Sequence, residues 1–245
     1  MRWARIEIEG RALLGTLEGE NLRVRAGDMF GASNETGEVV ALAGAKFLPP
    51  VRPGKIVALW NNLHAAATKN GWAPPADPLF FLKSPNSLNA HGAAIPKPAA
   101  YDGRVVYEGE LGIVIGPGPN QIFGYTCVND VTALDLLNAD PAFPQWTRAK
   151  GFPGFCPIGP CVATELDPAG LAVRTLVGGR ERQNYPVADM IFAPAELVAR
   201  IARDLPLDPG DVIACGTSLG MLPMRPGTSV EVSIEGIGTL SNVYG

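Results

Sequence analysis

Tyr107-Glu108-Gly109-Glu110-Leu111-Gly112-Ile113-Val114-Ile115 reads as a β-strand. Extended chain alternates its side chains between two faces, and branched apolar residues dominate this stretch. Tyr107, Leu111, Ile113 and Ile115 fall on one face, Glu108 and Glu110 on the other, with only Gly109 between the two acids. Adjacent carboxylates on an otherwise apolar strand repel each other, and burying them unpaired costs on the order of several kcal/mol. A divalent cation removes both problems, because carboxylate oxygens are the hard ligands that Mg2+ or Ca2+ prefers. The competing reading is a solvent-facing strand edge with two hydrated glutamates.

Outward from this strand, Gly116–Asn120 turns the chain and Ile122–Val128 returns as a second strand that delivers Asn129 and Asp130. A hairpin of this kind can set Asp130 beside the glutamates. Three oxygen ligands from rigid strands, with water in the other positions, suit Mg2+. Lys150 can offset the excess negative charge, or carry a proton if its pKa is lowered.

The remaining sequence implies a mainly β (α+β) architecture with non-local pairing. Residues 1–50 form a small β-rich domain in which Ile6 and Ile8 alternate with Glu7 and Glu9. Pro49-Pro50-Val51-Arg52-Pro53-Gly54 is a stiff connector, and the main domain spans 53–245. Lys55–Trp60 and Pro78–Lys83 are strands, and Leu63–Lys69 is a short helix carrying His64. Gly71–Pro78 suits a mobile lid, and 84–103 is a long polar loop holding an exposed His91. Pro194–Ala202 is the best helix, with proline in its first turn and Pro206 beyond its end.

With 47% hydrophobic and 18% charged residues in 245, the chain is globular, and 29 glycines and 23 prolines fit short strands and turns. A net charge of −4 argues against a nucleic-acid surface. The longest apolar runs stop well short of a membrane span, and Met1–Glu7 lacks the apolar core of a secretory signal. Cys127, Cys156, Cys161 and Cys215 form no CxxC pair and read as buried free thiols, which points to a reducing cytoplasm. Gly216-Thr217-Ser218-Leu219-Gly220 matches the G-x-S-x-G elbow of serine hydrolases. The context fails, since Met221–Pro226 cannot form the required helix and both histidines precede the serine. A tight turn whose amides meet a substrate carboxylate is the better reading.

Phe80–Lys83, Tyr107–Leu111, Gly124–Asp130, Trp146–Phe152, Pro157–Pro160 and Leu207–Thr217 occur in an order that resembles the fumarylacetoacetate hydrolase family, from about Pro53 to the C-terminus. The resemblance implies a β-roll-like catalytic domain, a Mg2+ or Mn2+ site and a homodimer. It also implies chemistry on small 2-oxo acids: hydrolytic C–C cleavage of acylpyruvates, decarboxylation, or isomerisation of 2-hydroxydienoates, often in aromatic catabolism. By position, Glu108, Glu110 and Asp130 hold the metal, Lys150 and His64 are catalytic, and Lys83, Gly216 and Thr217 contact the substrate. Hydrolytic cleavage is the first expectation because it is common in the family. The sequence departs from the pattern in three places. No acid follows His64 in its helix to complete a water-activating pair, and Leu134 and Leu137 stand where many members have arginine and glutamine. Those departures favour decarboxylation or tautomerisation over hydrolysis, with Arg148, Arg182 and Gln183 as candidates to compensate; a catalytically weak metal- and acid-binding homologue is the alternative of a different class.

Overall fold

The computed structural model describes residues 1–245. Strand Gly109–Ile115 lies inside the largest of three sheets, and every residue in it is buried. It pairs antiparallel with Ile122–Asn129 on one edge and with Val212–Ala214 on the other. A strand flanked on both edges and covered on both faces carries apolar side chains throughout. Glu110, with no exposed surface, is the exception.

Beyond Ile122–Asn129 the sheet continues through Cys156–Ala163, Arg2–Ile8, Arg11–Glu18 and Asn21–Gly27 to the edge strand Ser33–Ala41. Beyond Val212–Ala214 it runs through Ile56–Trp60 to the opposite edge, Leu79–Lys83. The first residues form the expected meander, with Lys46–Leu48 folding back on the first strand. Pro49–Lys55 has no regular structure, yet the sheet is continuous across it because Arg2 and Trp3 pair with Ala163 and Val162.

A second sheet, ordered Arg180–Pro186, Ala172–Val177, Thr228–Ile234, Gly238–Tyr244 and Ala94–Ile95, supplies the other wall of the main core. Leu111, Ile113 and Ile115 pack there with Val173, Tyr185, Val232 and Leu240, joined by Leu197 and Ile201 from helix Pro194–Asp204. Val114, on the glutamate face, packs with Val128, Ile158, Val212 and Ala58. Each buried Leu or Ile contributes roughly 1.5–3 kcal/mol. A one-residue slip would exchange the faces and drive Glu110 into the main core, so the register is strongly specified. No helix is long and apolar enough to cross a membrane.

Three expectations change. The 84–103 stretch contains short strands, Leu88–Ala90 and Ala94–Ile95, each parallel to a distant partner. Two or three residues carry no periodic signal, so only their partners reveal them. The segment before Pro78 is tied down rather than free as a lid. Trp72 packs on Trp60 at 4.8 Å between ring centroids, and Asp77 receives hydrogen bonds from Arg200 and Arg203. His91 is half-buried, edge-on to Phe47, with Nδ1 accepting the Ser241 amide at 3.1 Å. All four cysteines are buried and free.

Candidate metal centre

The hairpin brings Glu108, Glu110 and Asp130 together, with a ligand oxygen of each within 4.8 Å of the others. Register does this: Gly109 faces Asn129 across the ladder, so the residues flanking Gly109 and the residue after Asn129 crowd one strand end. The Asp130 amide donates to the Glu108 carbonyl at 2.8 Å, and Asn129 Oδ1 accepts the Glu108 amide at 3.0 Å.

Two ammonium groups face the three carboxylates. Lys150 Nζ donates to Glu108 Oε2 at 2.9 Å and to Asp130 Oδ2 at 2.8 Å. Lys83 Nζ donates to Asp130 Oδ1 at 2.5 Å and to the Lys150 carbonyl at 2.8 Å. Burial alone would raise the Asp130 pKa, but Lys150 and Lys83 overcome it and hold the carboxyl below its ordinary value. Burial likewise opposes the charge on Lys150, and Asp130, Glu108 and Glu110 outweigh it, raising that pKa. The three carboxylates thus favour the ammonium form of Lys150, rather than the lowered pKa considered for a proton carrier. Lys83, expected at the substrate, turns fully inward and supports Asp130 from behind.

Glu110 is different. Its Oε2 accepts the Gly216 amide at 2.8 Å, while its buried Oε1 has no partner. Burial first, then Asp130 and Glu108, push its pKa well above the usual carboxylate value. An orphaned carboxylate oxygen facing two further carboxylates is a poor arrangement for protein alone and a good one for a hard cation. With all three carboxyls ionised, as cation ligands must be, the two ammoniums leave one net negative charge. A divalent cation would reverse it and leave the site suited to an anion. The residues present fit such an ion.

The turn after Val212–Ala214 completes the site. Gly216 adopts a left-handed φ of 91° that disfavours larger residues, and its amide reaches Glu110. Thr217 Oγ1 donates to the Gly109 carbonyl at 2.9 Å. No helix follows Ser218, so the elbow pattern is a turn only. Phe81 and Trp146 stack at 4.6 Å and 16°, and the Phe81 ring centre lies 5.3 Å from Lys150 Nζ, giving the ammonium an apolar wall. Leu134 and Leu137 are half-buried on one short helical turn.

His64 opens helix His64–Asn70, is exposed, and is absent from the groups converging on the triad. At that helix start Asp189 Oδ2 accepts the Ala65 amide at 3.0 Å. Sequence reasoning missed Tyr185 and Thr132 and left Gln183 unplaced. Thr132 donates to Glu108 Oε1 at 2.6 Å. Gln183 and Tyr185 bind both the glutamate strand and the 216–218 turn. Their signal was two uncharged polar residues at alternate positions of a strand.

Comparison with known proteins matches residues 55–243 to the family model "Fumarylacetoacetate (FAA) hydrolase C-terminal" and residues 1–50 to "Rv2993c-like, N-terminal". Protein Rv2993c of Mycobacterium tuberculosis is 37% identical, covering 99% of this chain and 97% of that protein. Oxaloacetate tautomerase YisK of Bacillus subtilis is 33% identical, covering 84% of this chain and 75% of that one. The crystal structure of 5-carboxymethyl-2-hydroxymuconate delta-isomerase from Mycobacterium smegmatis superposes with a TM-score of 0.90 at 36% identity, over 100% of this chain and 99% of the other. With the family model matched over residues 55–243 and a full-length relative 37% identical, the protein belongs to the fumarylacetoacetate hydrolase family.

Proposed function

We propose that the chain is a divalent-cation-dependent enzyme on small 2-oxo acids, and that it moves a proton at the carbon beside the keto group, as a tautomerase or isomerase does. The observation that carries the cation requirement is the buried, unpartnered Glu110 Oε1 facing Glu108 and Asp130. Glu108, Glu110 and Asp130 would hold Mg2+ or Mn2+. When bound, such an ion would supply Lewis acidity at the keto oxygen. The chain's own residues do the rest. Lys150, fixed by Glu108 and Asp130, is the proton carrier: its ammonium gives a proton to the carbon as the enol becomes the ketone, and its nitrogen takes back the proton that the enol hydroxyl loses. Thr217, in the turn that Gly216 anchors to Glu110, offers its hydroxyl to the substrate carboxylate. Phe81 and Trp146 exclude water from one side of Lys150.

Proton transfer is favoured over hydrolysis because no acid in the His64 helix pairs with the histidine to activate water. The tautomerase and isomerase among its relatives support the same choice. Hydrolytic cleavage of an acylpyruvate is the second reading, and it rests on His64, whose exposed ring is open to water. The test follows keto–enol interconversion of oxaloacetate and cleavage of an acylpyruvate in parallel, with Mn2+ or Mg2+ and with chelator. Ion-dependent interconversion above the rate of the ion alone is expected, with about a hundredfold loss in Glu110→Ala. Acylpyruvate cleavage without interconversion would establish the hydrolytic reading instead. Tight Mn2+ binding without turnover of either would leave a binding protein.

A further inference from the structure

We propose that Gln183 and Tyr185 are positioning residues that aim the Thr217 hydroxyl proton at the carboxylate of a bound 2-oxo acid; this rests on the functional reading above. Both lie on strand Arg180–Pro186 and point inward, while Arg182 and Asn184 between and beside them are exposed. Gln183 Oε1 accepts the Gly109 amide at 3.0 Å. Its Nε2 donates to Thr217 Oγ1 at 2.8 Å and to the Ser218 carbonyl at 3.1 Å. A backbone amide can only donate and a carbonyl can only accept, so these partners fix the orientation of the Gln183 amide.

Thr217 has one hydroxyl proton. Gln183 donates to its oxygen, so the proton must point elsewhere, and it points to the Gly109 carbonyl at 2.9 Å. That carbonyl already accepts the Tyr185 hydroxyl at 2.7 Å, which also lies 3.2 Å from the Gly216 carbonyl. The second donor is the decisive feature. When Thr217 swings its proton to an arriving carboxylate, the buried Gly109 carbonyl keeps Tyr185 and is not left unpaired. Burial holds the Tyr185 pKa well above its ordinary value, so its proton stays in place. Gln183 and Tyr185 both act on Gly109, the residue between Glu108 and Glu110.

The test compares the unmodified protein with Tyr185→Phe, Gln183→Met, Thr217→Val and the Tyr185→Phe/Thr217→Val double variant. Mn2+ affinity is measured first, by paramagnetic resonance or calorimetry, and then oxalate binding to the Mn2+-loaded protein. Mn2+ affinity should stay within about threefold in every variant, which also reports an intact site. Oxalate should bind about tenfold more weakly to Tyr185→Phe and to Gln183→Met, the loss of one hydrogen bond to a charged ligand. In the double variant it should bind within about twofold of Thr217→Val alone, since Tyr185 acts through Thr217. Unchanged oxalate affinity in both single variants, or additive losses in the double variant, overturns the positioning role and leaves the functional reading standing. Failure of the unmodified, Mn2+-treated protein to bind oxalate overturns the functional reading and this inference with it.

Discussion

Lys83 Nζ lies 2.5 Å from Asp130 Oδ1, and neither side chain reaches solvent: 0% of one and 1% of the other is exposed. A buried ion pair of this kind adds little over a well-packed apolar pair, but losing one member strands the other. Lys83→Met is therefore expected to lower stability by about 3–5 kcal/mol, read from the midpoint of urea unfolding at unchanged slope. A loss under about 1 kcal/mol, the range of exposed pairs, would mean that Lys150 alone satisfies Asp130.

Glu110 should show the opposite sign. Without a cation its carboxyl is buried with one oxygen unpaired. Glu110→Gln in the presence of chelator is expected to be at least as stable as the unmodified protein. With Mn2+ at about a hundred times its Kd, the unmodified protein should gain about 2.7 kcal/mol and the variant nothing. Thermal melts with and without the ion decide it. An equal Mn2+ gain in both would remove Glu110 from the ligand set.

Gly109 tests how tightly the ligand strand is seated. A Cβ there would lie 2.0 Å from Thr175 Oγ1 and 3.3 Å from Gln183 Oε1. Gly109→Ala is expected to destabilise by about 1–3 kcal/mol through overpacking and to weaken Mn2+ binding by moving both glutamates. Adding Thr175→Ala should recover part of each loss. No recovery of stability in that pair would place the strain elsewhere.

His91 gives the pH dependence. Burial holds its pKa below the ordinary value of 6.5, and its Nδ1 must stay unprotonated to accept the Ser241 amide. Below about pH 6.5 the unfolded chain takes up a proton that the folded chain refuses. The unfolded state then binds more protons, so stability falls as the pH drops through that value and levels off at the folded pKa. His91→Gln should flatten this part of the curve between pH 7 and the folded pKa in chemical denaturation. An unchanged curve would show that His91 carries none of it.

Alternation made much of this legible. The faces of Tyr107–Ile115, the return strand to Asp130 and the proline-started helix at Pro194 follow from period and from the positions of proline, which are local properties. The β-rich character of residues 1–50 is local too. What escaped depends on distant pairing. Leu88–Ala90 is a strand only because Cys156–Ile158 runs beside it. Lys83 looks like any strand-end lysine until Asp130 and the Lys150 carbonyl are set against it. His91 sits in a polar stretch, yet Phe47 and Ser241, far away in the chain, bury it. Gln183 and Tyr185 gain their roles from the amide and the carbonyl of Gly109, more than seventy residues earlier in the chain.

Arg2 and Trp3 lie along the outer half of Cys156–Ala163, opposite the side taken by Ile122–Asn129. A proteolytic cut that released the first fifty residues would strip Val162 and Ala163 of their neighbours and bare the backbone groups there. Such a margin recruits whatever backbone it meets. Versions of the chain shortened by that unit are therefore expected to self-associate, read from their size in solution against that of the full chain.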